Sequence, residues 1–475
     1  MTSSDHANLK PQKADARSEL TPLVAEQYIT HIAAPAKPVL NVDRAKSTWP
    51  GRLYLRHLKR YAWASTLVNH AWVLLSPICQ AFNRARQSLR EEDAPLQLIG
   101  LSAYTRRFGL ATIALTPADE VATPAPGVFP RRDWQHLISP HDHYSFPETF
   151  VSEIREASVM GGTNIVVAGN FAIHHDLFNR DLEYTSEELH SRMFVNVAAG
   201  SIKLGVSDPA PERMKTAACF VDACAPNYAH WLTEVLPRIA IFCRHPDYAG
   251  VPLIVNESLH ANIMASLDAV VAHKNPLVLL PIGRSITVSQ LFVVSCAGYL
   301  PFEPRGRHAA SMSHGKFSRH AFEAIRHACL SGRSPQKTPK RIYLRRNSHV
   351  RRLSNSEEIE SLLVNLGFTI VDPEKLSFGA QVDLFRGAEV IIGATGAALA
   401  NMIFAQSRPR IGILISKQEN IIYWYWQNIA RATGNSVDYI FGANIDPGVS
   451  NVHGDFQVPV EHVREFVIEL DQGKP

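Results

Sequence analysis

The chain has 475 residues, of which 46% are hydrophobic and 19% charged. Such a length exceeds one typical core and such a balance excludes a disordered chain, so two domains with extensions are expected. The net charge of +4 is spread along the sequence, which excludes a general polyanion binder and leaves no nucleic-acid partner expected.

In chain order, the polar opening "MTSSDHANLKPQKADARSEL" has no apolar core ahead of a cleavage site, and residues 1–45 read as a flexible tail. Residues 46–94 read as a basic amphipathic helical segment. Within it Asn69, His70, Pro77 and Gln80 interrupt the apolar stretch from Tyr61 to Phe82, which therefore fails as a membrane span. Arg52, Arg56, Lys59 and Arg60 precede that stretch, and Arg84, Arg86 and Arg90 follow it. A helix of this kind either lies on an anionic membrane surface or is an ordinary buried helix with charged ends. The expected location is cytoplasmic, with a peripheral contact at the inner face of the membrane. Cysteines at 79, 219, 224, 243, 296 and 329 form no CxxC pair and read as buried thiols of a reducing compartment, with no metal and no cofactor expected.

Residues 95–330 read as a first domain. It opens on a β-rich lead-in containing "TNIVVAG" and "SIKLGVS". From Ala225 a helix over 227–244 alternates with the strand "VPLIVN", a helix from Leu259 to Ala272, and the strands "NPLVLL" and "ITVSQLFVVS". "SGRSPQKTPK", residues 331–340, is a linker. Alternation restarts over 341–455: "RIYLRR", "FTIVDP", "EVIIGA" and "RIGILI" as strands, with "SNSEEIESLLVNLG", "SFGAQVDLFRGA" and "GAALANMIFA" as helices. Ser354 and Glu357 make a capping box, and Gly367 stands at a helix stop. Residues 456–475 form an amphipathic helix expected to pack back across the first domain. The fold class is α/β, with two doubly wound, Rossmann-like domains facing a cleft.

Three motifs carry chemistry. In "NYAHWLTEVLPRI" the residues His230, Glu234 and Arg238 follow one another at helical spacing along one flank, with Asn227 near the start. A solvated polar stripe is the plain explanation. The functional one is a base for a hydroxyl: Glu234 or His230 takes the proton, and Arg238 orients that carboxylate or binds charged substrate. Pro237 implies a kink. In "IIGATGAALAN", Gly393 and Gly396 permit close backbone approach at a helix N-terminus. Thr395, Ala397 and Asn401 join them as candidate substrate-binding residues. The loop "RRNSHVRRLSN" supplies Arg345, Arg346, Arg351 and Arg352, and the first and last of these are the chosen diphosphate ligands, one closing the strand and the other preceding the helix.

These two blocks, "NYAHWLTEVLPRI" and the run from Arg341 to Ala405, resemble glycosyltransferase family 61 in its bacterial branch, and the likeness covers about residues 150 to 440. The resemblance implies a GT-B enzyme without a metal requirement that inverts at the anomeric carbon. It implies a nucleotide-sugar donor in the C-terminal domain and a glycan or lipid-linked acceptor of bacterial surface polysaccharide. Glu234 stands where the family has its acidic residue and is the expected base. Two departures stand out: Thr395 replaces a common histidine, and "RIGILIS" lacks the glutamate that commonly ends that strand. They admit a rival, a catalytically degenerate sugar-nucleotide or glycan-binding protein on the same fold.

Overall fold

The structure is a computed structural model and describes residues 29–33, 94–133, 142–190, 192–205, 208, 210–305, 315–348, 351–417, 424–445 and 454–473. The basic segment expected over 46–94, apart from Ala94, lies outside these residues, as does Cys79. Among the described residues no helix is long and apolar enough to cross a membrane.

A twelve-stranded mixed sheet organises the first half. Its parallel part runs Ile29–His31, Leu277–Leu280, Leu253–Asn256, Glu212–Cys219 and Ser285–Val294. The apolar runs here have no polar face because both sides are covered. Leu253, Val255, Leu277 and Leu279 look into a cluster with the helices Leu236–Arg244, Ala261–Val271 and Arg319–Leu330. The alternate residues Ile254, Val278 and Leu280 look the other way, toward Leu101 and Tyr104. The lead-in is continuous with this sheet: Thr149–Met160 pairs antiparallel with Ser285–Val294, and Val166–Ala168, Phe171–His174 and Ser201–Leu204 extend it. Ile29–His31, inside the stretch expected to be a tail, is the parallel edge strand beside Leu277–Leu279.

The second sheet has seven strands. Five parallel ones lie in the order Thr369–Val371, Arg341–Leu344, Val390–Ala394, Arg410–Ser416, Ser436–Asn444. Counted along the chain this order is second, first, third, fourth, fifth, so winding reverses between Arg341–Leu344 and Val390–Ala394. Ligands of doubly wound sheets bind at the carboxyl ends of strands flanking such a reversal. The outer neighbour of Ser436–Asn444 is Gly127–Phe129, a strand contributed by the first half of the chain.

Alternate residues again sort the faces. Tyr343, Ile392 and Leu414 meet Ile359 and Leu363 of the helix Ser356–Asn365 and Val463 and Phe466 of the helix Val460–Asp471. Ile342, Leu344, Ile391 and Ile413 belong to the cluster that continues into the first half, so one apolar core spans the junction. The last helix therefore lies on the second sheet rather than back across the first. It touches the first half through Phe129, whose ring meets Phe466 edge-on at 5.3 Å, and through Arg131, whose Nε donates to Glu469 at 3.0 Å. Two local expectations also change. No side-chain cap forms at the helix Ser356–Asn365, because Asn355 at its N-cap binds both backbone groups of Val458 instead. The run Ala397–Phe404 is a tight 3₁₀ coil rather than an α-helix. Gly367 ends its helix at φ +80°, the left-handed conformation that favours glycine.

Candidate functional site

The segment Tyr228–Arg244 is helical throughout but not uniform. Tyr228–His230 opens it, capped by Asn227, whose side-chain oxygen accepts from the amide of Ala229 at 3.0 Å. Trp231–Val235 then forms a wide turn in which the amide of Leu236 donates five residues back, to the carbonyl of Trp231. Pro237 explains the location: it has no N–H for the carbonyl of Thr233, and its ring would collide with that carbonyl in a regular helix. Gly298 accommodates the result, since a Cβ there would stand 2.0 Å from the Thr233 oxygen. Wide turns of this type are frequent at functional sites.

The wide turn brings His230 and Glu234 together, with Nδ1 2.6 Å from Oε1. An ionised carboxylate only accepts, so the ring donates from Nδ1 and keeps its lone pair on Nε2. Both side chains are largely buried, and Phe302 stacks over the imidazole at 5.7 Å. Burial alone would lower the His230 pKa. The charge and hydrogen bond of Glu234, with the charge of Asp222, outweigh it, and the pKa is raised. Arg238 does not reach the Glu234 carboxylate. Its Nε donates to the Glu234 backbone carbonyl at 3.1 Å, and its Nη2 lies 3.5 Å from Oδ2 of Asp222. A buried guanidinium needs a buried counter-charge, and Asp222 supplies it.

A cavity of about 520 Å³ opens between the two halves, within the range of small-molecule sites. Tyr228, His260 and Asn262 line it from the first half; Arg346, Arg351 and Gly396–Leu399 line it from the second. It sits at the carboxyl ends of Arg341–Leu344 and Val390–Ala394, where the winding reverses. Strand parity separates the two arginines that follow the strand, although both border the cavity. Arg346 continues the face of Ile342 and Leu344, which looks at the junction; Arg345 continues the face of Tyr343 and pairs with Glu360 of the covering helix at 2.9 and 2.5 Å. Arg351 has φ +58°, an uncommon conformation for a residue with a side chain, and its Nε is buried without a hydrogen-bond partner among the described residues. Burial lowers the pKa of both cavity arginines. That of Arg346 is pushed down to about 10, with the Arg351 charge adding to burial and Glu374 opposing it. Two arginines lining one partly desolvated cleft are groups of the kind that can hold an anion.

The expected site residues thus divide. Arg345, Gly396 and Ala397 line the cavity. Gly396 has a steric reason for its identity, because a Cβ would stand 2.1 Å from Nη1 of Arg346. Arg352 does not line it: Asp455 holds its backbone and guanidinium at 2.7–2.9 Å. Gly393 lies within its strand, packed against Leu344. Thr395 is buried and accepts from the indole of Trp426 at 3.0 Å. Asn401 is fully buried, accepting from the Tyr228 hydroxyl at 2.8 Å and donating to Gln381 at 2.7 Å, so it ties the halves together. Asn227 is a helix cap. Asp222 went unnoticed in the sequence because nothing in its spacing links it to Arg238, sixteen residues on.

No curated protein matches the sequence. The family model Glycosyltransferase 61 matches residues 228–412, from the cavity-lining Tyr228 through the arginine loop and Gly396 into the strand Arg410–Ser416. Over that segment the chain is similar to the glycosyltransferase 61 family.

Proposed function

We propose that the protein is an inverting glycosyltransferase of GT-B arrangement that moves a sugar from a nucleoside-diphosphate donor to a hydroxyl of a glycan or lipid-linked acceptor. The observation that carries this reading is the pair Arg346 and Arg351, turned into the inter-half cleft where the second sheet reverses its winding. The donor's diphosphate lies between the two guanidinium groups beside Gly396. His230 Nε2 accepts the acceptor's proton as its oxygen bonds to the anomeric carbon, while the bond from that carbon to the diphosphate breaks and the nucleoside diphosphate departs. Glu234 holds the ring's tautomer and balances the imidazolium that forms. These roles reverse the sequence-based assignment of Glu234 as base, because its carboxylate is already engaged at Nδ1. Arg238 acts on the backbone of the turn.

One observation favours the degenerate alternative: Thr395 is committed to Trp426, so the family's usual turn histidine has no substitute there. Incubation with a panel of nucleotide sugars, scored by release of nucleoside diphosphate, separates the two readings. The catalytic one expects turnover with at least one donor that fails in His230→Ala. Binding without release supports the alternative, and absence of any nucleotide binding overturns both. The setting we propose is the cytoplasmic face of a membrane, in bacterial surface-polysaccharide synthesis, with contact through Arg52 to Arg90. Salt-sensitive flotation with anionic vesicles, lost on deletion of residues 50–90, is the test.

A further inference from the structure

We infer that Asp222 is a positioning residue for the His230–Glu234 pair: it anchors Arg238, whose Nε holds the Glu234 carbonyl, and its charge faces His230 across a small shared cavity. The inference rests on the reading of that pair as the catalytic base. Asp222 is 5% exposed and stands just beyond the strand Glu212–Cys219. Its backbone is fixed on both sides by Asn256, whose side chain accepts from the Asp222 amide and donates to its carbonyl, each at 2.9 Å. Oδ1 accepts from the Cys224 amide at 2.8 Å. That leaves Oδ2 facing Arg238 and Asn164, each at 3.5 Å, and His175 at 3.9 Å. Asp222 thus offers a rigid charge to a wide turn whose internal hydrogen bonding Pro237 has interrupted.

A cavity of about 20 Å³ is bordered by His230, Glu234 and Asp222 together. The other titratable groups around it are His174, His175, Glu187, Cys224 and Tyr299, with Arg238 behind Asp222. Burial lowers the His175 pKa and raises those of Cys224 and Tyr299, which keeps all three neutral near pH 7. Glu187 lies 3.6 Å from Nε2 of its own partner, His174. Asp222 is therefore the carboxylate outside the pair whose field falls on His230, and it favours the imidazolium.

The decisive variant is Asp222→Asn, read in two ways. In histidine-labelled protein the His230 ring should titrate at a pH lower by about half a unit or more, since a facing negative charge is gone. In turnover, kcat should fall about tenfold or more, the acid limb of kcat/KM should move the same way, and UDP affinity should stay within about twofold. Because Asp222→Asn strands the buried charge of Arg238, the double variant Asp222→Asn with Arg238→Met serves as a second arm that removes both charges. A folded variant in which the His230 titration is unchanged and kcat is normal overturns the proposal. An inactive wild type, or an active His230→Ala, instead defeats the catalytic reading, and the ring titration still reports on Asp222.

Discussion

At the scale of single residues, four arginines on one loop do different work. Arg351→Ala removes a charge-assisted contact of about 1.5–3 kcal/mol and should weaken UDP binding by about tenfold or more in calorimetry. Arg352→Ala should leave affinity unchanged and cost at most about 1 kcal/mol, because it breaks an exposed pair with Asp455. Gly396→Ala tests the same site from the backbone side. The new Cβ meets the movable end of Arg346, so the fold should tolerate it while UDP affinity falls about tenfold. Asp222 also leaves a mark on stability. Burial would raise its pKa, but His175, 3.9 Å away, and the charge of Arg238 outweigh burial and depress it. A depressed carboxylate stabilises the fold above its unfolded pKa of about 3.9, and that contribution is lost as pH falls below it. The wild type should therefore lose stability on acidification below about pH 4 more steeply than Asp222→Asn does.

At the scale of elements, the wide turn Trp231–Val235 is a strained solution fixed by neighbours. Gly298→Ala pushes a Cβ against the backbone oxygen of Thr233, which has no flexible side chain to give way. We expect a loss of about 1–3 kcal/mol, measured by denaturant unfolding, with turnover reduced as the His230–Glu234 geometry shifts. The span of this helix was legible in the sequence, and Pro237 marked its irregularity, but the five-residue hydrogen bonding was not, because it depends on Gly298 in a distant strand. The strands of the second sheet were legible nearly to the residue: "EVIIGA" became Val390–Ala394 and "RIGILI" became Arg410–Ser416. Apolar runs between polar breakers carry that signal locally. The arginine loop was legible as a group of four, but not which of its members line the cavity. Both faces of the strand Arg341–Leu344 are buried, so the sequence does not tell which parity looks at the cleft. Asp222 and His175 were illegible, because only the tertiary fold brings them beside Arg238.

At the scale of the whole molecule, the two halves share one apolar core and a polar tie between Tyr228 and Asn401. Tyr228→Phe leaves the buried Asn401 oxygen without its donor and should cost about 1–3 kcal/mol in a thermal or denaturant melt. The strand Gly127–Phe129 binds the halves more deeply, since it completes the sheet of the other half against Asp438–Ile440. Its consequence lies in the order of synthesis. Gly127–Phe129 leaves the ribosome long before Ser436–Asn444 exists, so the second sheet cannot close until nearly the whole chain has been made. A gene fragment encoding residues 341–475 alone would yield a sheet with the Asp438–Ile440 edge bare, the kind of edge that recruits other chains and aggregates. Co-expression of residues 1–340 from a separate gene should restore solubility only if the two pieces meet before that edge finds a copy of itself.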